Sequence, residues 1–250
     1  MSGSDEKKIS EANRILDAAT SKGVVLRLIG GLAIRNHCVI TFFCGREYVD
    51  IDFVGLSRQI RDISDLFRSL GYRENESLWF SSAGHQMQFY HSDIAEHVDV
   101  FLDMLRMDHD LKLKNRLSIE AKTISVSDLL VSKLLIYKLN EKDVRDILTL
   151  IKDLTLGEDD RSGVINVRRI AELGSDGWGL YVDIMANIEK CIEHIGEYNL
   201  TAKEISTVKS RMLRIKKAVD KEPKTLRWKI RKLLGESIPL RRTVEDQIIT

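Results

Sequence analysis

Hydrophobic positions recur at two periods along this chain, and the change from one to the other divides it near residue 125. In the first part, short apolar runs alternate with helical stripes. Ile9, Ala12, Ile15, Leu16 and Ala19 share one helical face behind Ser4, which can cap a helix, and Gly23 marks the helix end. Residues 24–29 read as a buried strand, Gly30-Gly31 as a turn, and residues 32–37 as a short helix. A second strand is expected over 48–54. After Gly55 comes a helix carrying Ile60, Ile63, Leu66, Phe67 and Leu70, which stops before Gly71. Residues 78–80, 86–90 and 97–102 are strand-like. Alternation in the last sets His97, Asp99, Phe101 and Asp103 on one side and Val98, Val100 and Leu102 on the other.

From Ser127, a second candidate cap, helical periodicity runs almost to the end of the chain. Leu129, Leu130, Lys133, Leu134 and Ile136 form one stripe, and Val144, Ile147, Leu148 and Ile151 the next. A loop is expected at 157–160, then helices around 167–173, 180–194 and 203–218 and a basic stretch over 224–234. The expected fold class is α+β: a small mixed-sheet head over residues 1–125, followed by an all-helical body over 126–250.

Composition changes this picture little. With 43% hydrophobic and 31% charged residues among 250, the chain has the make-up of a globular protein and not of a disordered one. Cys38, Cys44 and Cys191 are odd in number and lack metal-ligand spacing, so reduced thiols are expected. A polar N-terminus and the lack of a long apolar run lead to the expectation of a cytoplasmic protein with no membrane contact. Net charge is +1 but uneven. Residues 201–250 hold 14 Lys+Arg against 6 Asp+Glu, a local +8, which leaves −7 for the rest. A basic tail either meets a polyanion such as RNA or is simply the solvated face of ordinary helices.

Candidate chemistry gathers in the head. Side chains two apart on a strand point the same way, so Asp50 and Asp52 share a face while Ile51 and Phe53 turn to the core. Two carboxylates so placed repel unless a cation sits between them, and oxygen donors of this kind suit Mg²⁺ or Mn²⁺. Gly30-Gly31 lets backbone N–H groups approach a phosphate because no Cβ intervenes, although such pairs also serve as plain turns. Neither a dinucleotide fingerprint nor a P-loop is present. Asp99 supplies a lone carboxylate on a later strand. His85, His91 and His97 lack zinc-site spacing, and Trp178 reads more simply as a core anchor than as a base-stacking platform.

LIGGLAIRNH, REYVDIDFVG and HVDVFLD resemble the three signature segments of the polymerase-beta-type nucleotidyltransferase superfamily. SDLLVSKLLIYKLNEKDVRDIL resembles the fourth segment of its abortive-infection, AbiE-type toxin branch. The resemblance covers about residues 24–155. It implies that Gly30 and Gly31 hold phosphate and that Asp50, Asp52 and Asp99 bind the metal, with Asp99 also able to take a proton from an acceptor hydroxyl. Arg46 matches an arginine before the first aspartate, as a triphosphate contact or a partner of Asp50. Lys133 would aim an amine at phosphate, with Asp146, Asp143 and Lys142 nearby, Asp146 being favoured as its partner. The chain departs from the family in having Gly31 where a serine is common, and Tyr137 and Lys138 where an arginine is common. Asp103, on the same predicted face, is the alternative third carboxylate.

The implied activity is transfer of a nucleoside monophosphate from an NTP such as ATP, with Mg²⁺ or Mn²⁺, to a hydroxyl on tRNA, other RNA, a protein or a small molecule. The toxin branch adds an antitoxin protein as a partner. Two other readings are a catalytically silent nucleotide- or RNA-binding module and an antibiotic-modifying enzyme. For the latter, Asp103, Glu120 and Glu158-Asp159-Asp160 would supply an acidic acceptor cleft.

Overall fold

The computed structural model describes residues 3–39, 41–45, 48–92 and 97–241. Helix α1 (Gly3–Ser21) leads into strand β1 (Leu26–Ile29). Two short helices, α2 (Gly30–Asn36) and α3 (Thr41–Cys44), precede β2 (Ile51–Gly55) and α4 (Ile60–Ser69). Then come β3 (Arg73–Glu74), α5 (Glu76–Ser81), β4 (Gln86–Tyr90), β5 (Val98–Leu102), β6 (Met104–Arg106) and β7 (Asp110–Lys112). The second half holds α6 (Val126–Leu134), α7 (Glu141–Asp153), β8 (Thr155–Gly157), β9 (Val164–Asn166), α8 (Val167–Asp176) and α9 (Trp178–His194). It ends with α10 (Ala202–Lys221) and α11 (Leu226–Leu234).

Five strands form a mixed sheet in the order β1-β2-β5-β4-β3. Only β2 and β5 run parallel; the other neighbours are antiparallel. The two parallel strands are the most apolar, with Ile51, Phe53, Val98 and Val100 fully buried, as central strands covered on both faces require. Each such side chain contributes roughly 1.5–3 kcal/mol on burial. Helices α1 and α4 pack together beside the sheet, and Phe67 of α4 stacks on Phe89 of β4 with ring centroids 4.0 Å apart. The segment leading into α6 is tied to the sheet edge, since Leu28 N donates to Lys122 O and Ile124 N to Leu28 O. One apolar core then continues from Phe53 and Val100 into Leu130, Ile147, Ile184 and Val208 of the helices.

The α+β class is as the hydrophobic pattern predicts, a mixed-sheet head and a helical body. Five local expectations need correction. Gly30 and Gly31, expected as a turn before the helix, are the first residues of α2 itself. Leu78-Trp79-Phe80 lies in α5, not in a strand, and Phe80 is exposed. The cap of α6 is Ser125, whose Oγ accepts from Asp128 N at 3.1 Å, while Ser127 is buried within the helix and accepts from Asn166 N. The body is not purely helical, because β8 and β9 pair in parallel. Finally, Cys38 and Cys44 are joined by a disulfide, the α2–α3 turn bringing their Cα atoms within 6.5 Å; Cys191 is free and buried. No helix among the described residues is long and apolar enough to cross a membrane.

Candidate active site

A cleft of about 600 Å³ opens where the carboxylate-bearing strands meet the start of the helical body. Gly30, Gly31, Asp50 and Asp52 line it from the sheet side, Lys133 and Asp143 from α6 and α7. Asp52 and Asp99 are in-register partners on the parallel strands β2 and β5, so their side chains leave the same face on chains about 4.8 Å apart. Asp50 lies one residue before β2, close enough that its charge acts on Asp52. Three carboxylates thus gather where the sequence alternation places them. Asp99 is 8% exposed and stands beside the cleft instead of lining it.

The electrostatics of this face are unresolved within the protein. Burial, then the charges of Asp99 and Asp50, push the Asp52 carboxyl up from 3.8 to about 7; His97 and Lys133 oppose this without cancelling it. Oδ1 of Asp50 is buried without a hydrogen-bond partner. Among the described residues no group of three His, Cys, Asp or Glu side chains is arranged to hold a metal ion by itself. The donor set is nevertheless one a hard cation fits: oxygen-rich, with one oxygen unpartnered, and open towards a cleft from which phosphate oxygens and water can complete the ligand shell.

Gly30 has φ +73°, and a Cβ there would stand 2.7 Å from Asp52 Oδ2. The glycine is required both by backbone conformation and by the carboxylate packed against it. Gly31 follows on the cleft wall.

Across the cleft the charged groups are paired within the protein. Lys133 Nζ lies 2.9 Å from Asp143 Oδ1 and 3.0 Å from Asp146 Oδ2. Burial lowers the tendency of this amine to hold its proton, but the two carboxylates outweigh it, so its pKa is raised and it stays charged. Asp143 has a second task, completing a capping box with Asn140 at the start of α7. Lys142 lines the cleft as well. Arg46 lies outside the described residues.

Other candidates fall elsewhere. Asp103, in the left-handed region at φ +64°, accepts from Ser57 N and Oγ at 3.1 and 2.6 Å and from Lys114 Nζ at 3.1 Å. It fastens the end of β5 to the segment after β2. Glu120 accepts from Ser162 and Gly163, Asp160 pairs with Arg116, Glu158 with Arg214 and Asp159 with Arg161. None of these five acids lines the cleft, so the acidic acceptor wall expected of them is not there. Trp178 is half-buried away from the cleft, under the Arg231 guanidinium at 5.4 Å. His85 and His91 do not line the cleft either.

His97 and Gln88 are the residues that sequence reasoning missed. Gln88 Nε2 donates to Asp99 Oδ1 at 3.0 Å, while His97 Nε2 lies 3.2 Å from Asp99 Oδ2 and 3.4 Å from Asp50 Oδ1. Alternation had set His97 on the face of Asp99. Its nearness to Asp50 depends on β2 and β5 being neighbours, which no local pattern states.

No family model and no curated protein matches this chain. Among solved structures it is similar to the solution structure of the antibiotic-resistance factor ANT(2'')-Ia. Identity is 13% and the TM-score 0.41, over 57% of this chain and 82% of that one. At that level the likeness says nothing about what this chain acts on.

Proposed function

We propose that this chain is a metal-dependent nucleotidyltransferase, moving a nucleoside monophosphate from an NTP to an acceptor hydroxyl. The acceptor oxygen forms a bond to the α-phosphorus as the bond to the β-phosphate bridging oxygen breaks, releasing pyrophosphate. One observation carries the reading: Asp52 and Asp99 lie in register on parallel strands, with Asp50 beside them, at a cleft that the Gly30-Gly31 start of α2 and a doubly anchored lysine also line.

Asp50, Asp52 and Asp99 would hold Mg²⁺ or Mn²⁺. Such an ion, when bound, offsets charge on the triphosphate and on the attacking oxygen. The bare backbone at Gly30-Gly31 gives phosphate oxygens room to approach. Lys133, fixed by Asp143 and Asp146, presents a permanent positive charge to the nucleotide from the opposite wall. Positioning and electrostatics of this kind supply most of the acceleration in phosphoryl-type transfer.

RNA, tRNA or another, is the acceptor class that the local +8 of residues 201–250 supports. Part of that charge is structural. Arg211 donates to the carbonyls of Ile151, Lys152 and Leu154, Lys224 to Val219, Asp220 and Glu222, and Arg231 to Gly235. Arg227 and Lys229 of α11 remain exposed for a polyanion. In the toxin branch that the sequence resembles, a neutralising antitoxin protein would complete the system.

The test is incubation of the chain with Mg²⁺, each labelled NTP in turn and total tRNA. Label should move to RNA with at least one nucleotide and disappear with Asp50→Ala. Absence of label on RNA and protein with every nucleotide removes this reading.

A further inference from the structure

Beyond the carboxylates, the sheet wall of the cleft continues into a hairpin. Ile29 is the register partner of Asp52, and Asp52 of Asp99, so the Gly30 side and the Asp99 side lie at opposite ends of one row. Phe101 follows Asp99 on the same face of β5, and after Asp103 the chain enters the β6–β7 hairpin. Leu105, Arg106, Met107 and Asp108 all line the cleft. The hairpin is held at both ends. At its base, Leu113 N and Lys114 N donate to Asp103 O at 2.9 and 2.8 Å. At its tip, Asp108 Oδ2 accepts from Tyr137 N at 3.0 Å, and His109 Nε2 lies 2.6 Å from Oδ2 of the buried Asp183, which Arg241 also holds.

Arg106 is the cation that this wall leaves open. Its Nε donates to Met104 Sδ at 3.4 Å, a weak acceptor, and among the described residues both Nη groups are without a partner. Lys133, by contrast, is taken up by Asp143 and Asp146. Lys142, which also lines the cleft, is exposed and belongs to the helical wall. A guanidinium with its fork free matches a phosphate through two parallel N–H···O bonds. Phe101 and Met107, both half-buried in the same wall, offer an apolar seat for a base. A polycationic acceptor would meet repulsion from Arg106 instead.

We propose that Arg106 binds a phosphate of the acceptor, seating a single-stranded RNA end so that its terminal hydroxyl faces Asp99. This rests on the transfer reading, in which Asp99 takes the proton of that hydroxyl, and adds to it the residue that selects the acceptor. A phosphate gripped by a hairpin fixed at both ends sets where the hydroxyl stands, and placement of the attacking group is a large part of such a reaction's acceleration.

Fluorescence anisotropy of a labelled short single-stranded RNA, titrated with the full chain over a series of salt concentrations, tests this without relying on turnover. Arg106→Gln should weaken binding about ten-fold. It should also reduce the slope of log affinity against log salt by about 0.7, the loss of one single-strand phosphate contact. The same RNA carrying a neutral methylphosphonate at each linkage of its 3′ end in turn locates the contact. At one linkage the change should weaken binding to wild type and leave Arg106→Gln unaffected, an effect that a merely structural arginine would not produce. An unchanged salt slope in Arg106→Gln, or a methylphosphonate effect of equal size in both chains, overturns the role of Arg106. So does a wild-type chain that binds no RNA. These outcomes leave the ion site standing, because Mg²⁺-dependent binding of NTP tests that separately.

Discussion

The two walls of the cleft handle charge in opposite ways. On the helical wall, one lysine is matched to two aspartates, and each has a second anchor or close burial to hold it. On the sheet wall, three aspartates converge with a single half-exposed histidine between two of them, and Asp52 is driven up to about 7. The first wall is complete as folded. The second carries repulsion that a divalent ion would relieve, and proteins retain such strain mainly where function uses it.

The contrast can be broken from either side, and the largest effect belongs to the sheet wall. Asp50→Ala should lower nucleotidyl transfer by about 10³-fold or more, the scale of losing a principal electrostatic group, with little change in thermal unfolding. Unchanged transfer would remove Asp50 from the site.

Next comes Lys133→Met, which leaves Asp143 and Asp146 buried and facing each other. Loss of one partner from a buried ionic set costs about 3–5 kcal/mol, measurable by denaturant unfolding. A cost below 1 kcal/mol would show that the helical wall does not depend on this balance.

Asp52→Asn should act in the other direction. The folded carboxyl titrates near 7 against 3.8 in the unfolded chain, so between those values the folded state holds the extra proton. Metal-free stability therefore falls as pH rises through this window, by on the order of 4 kcal/mol. The asparagine variant should remove that slope, melting higher than wild type at pH 8 and nearly the same at pH 4. A wild-type stability that does not fall between pH 5 and 8 relative to the variant contradicts the shift.

Asp103→Asn should have the smallest effect. It weakens the anchoring of Ser57 and Lys114, about 1 kcal/mol, and leaves transfer intact because Asp103 lies outside the cleft. A loss of transfer equal to that of Asp99→Asn would make Asp103 a site residue after all.

These walls were not equally legible in the sequence. Strand alternation shows on its own which side of β2 and β5 each aspartate takes, since Ile51, Phe53, Val98 and Val100 must enter the core. The sequence also makes Asp143 and Asp146 neighbours of one helical turn. It does not say that β5 pairs with β2 while β4 lies outside it, and only that pairing brings His97 to Asp50 and Gln88 to Asp99. Residues 78–80 misled because three apolar residues in a row carry no period. Strands β6 to β9 are three residues each, too short for one to emerge. Ser125 and Ser127 are both able to cap, and only the packing of Ser127 under β9 distinguishes them.

Calorimetric titration of ATP and the other NTPs, each with and without Mg²⁺, bears most directly on the sheet wall as an ion site that receives a nucleotide. At least one NTP should bind with an affinity that depends on Mg²⁺, and the dependence should vanish when Asp50 and Asp52 are both changed to asparagine. Binding that is equally tight in chelator, or untouched by the double change, would show that the carboxylates serve some purpose other than holding a cation for phosphate.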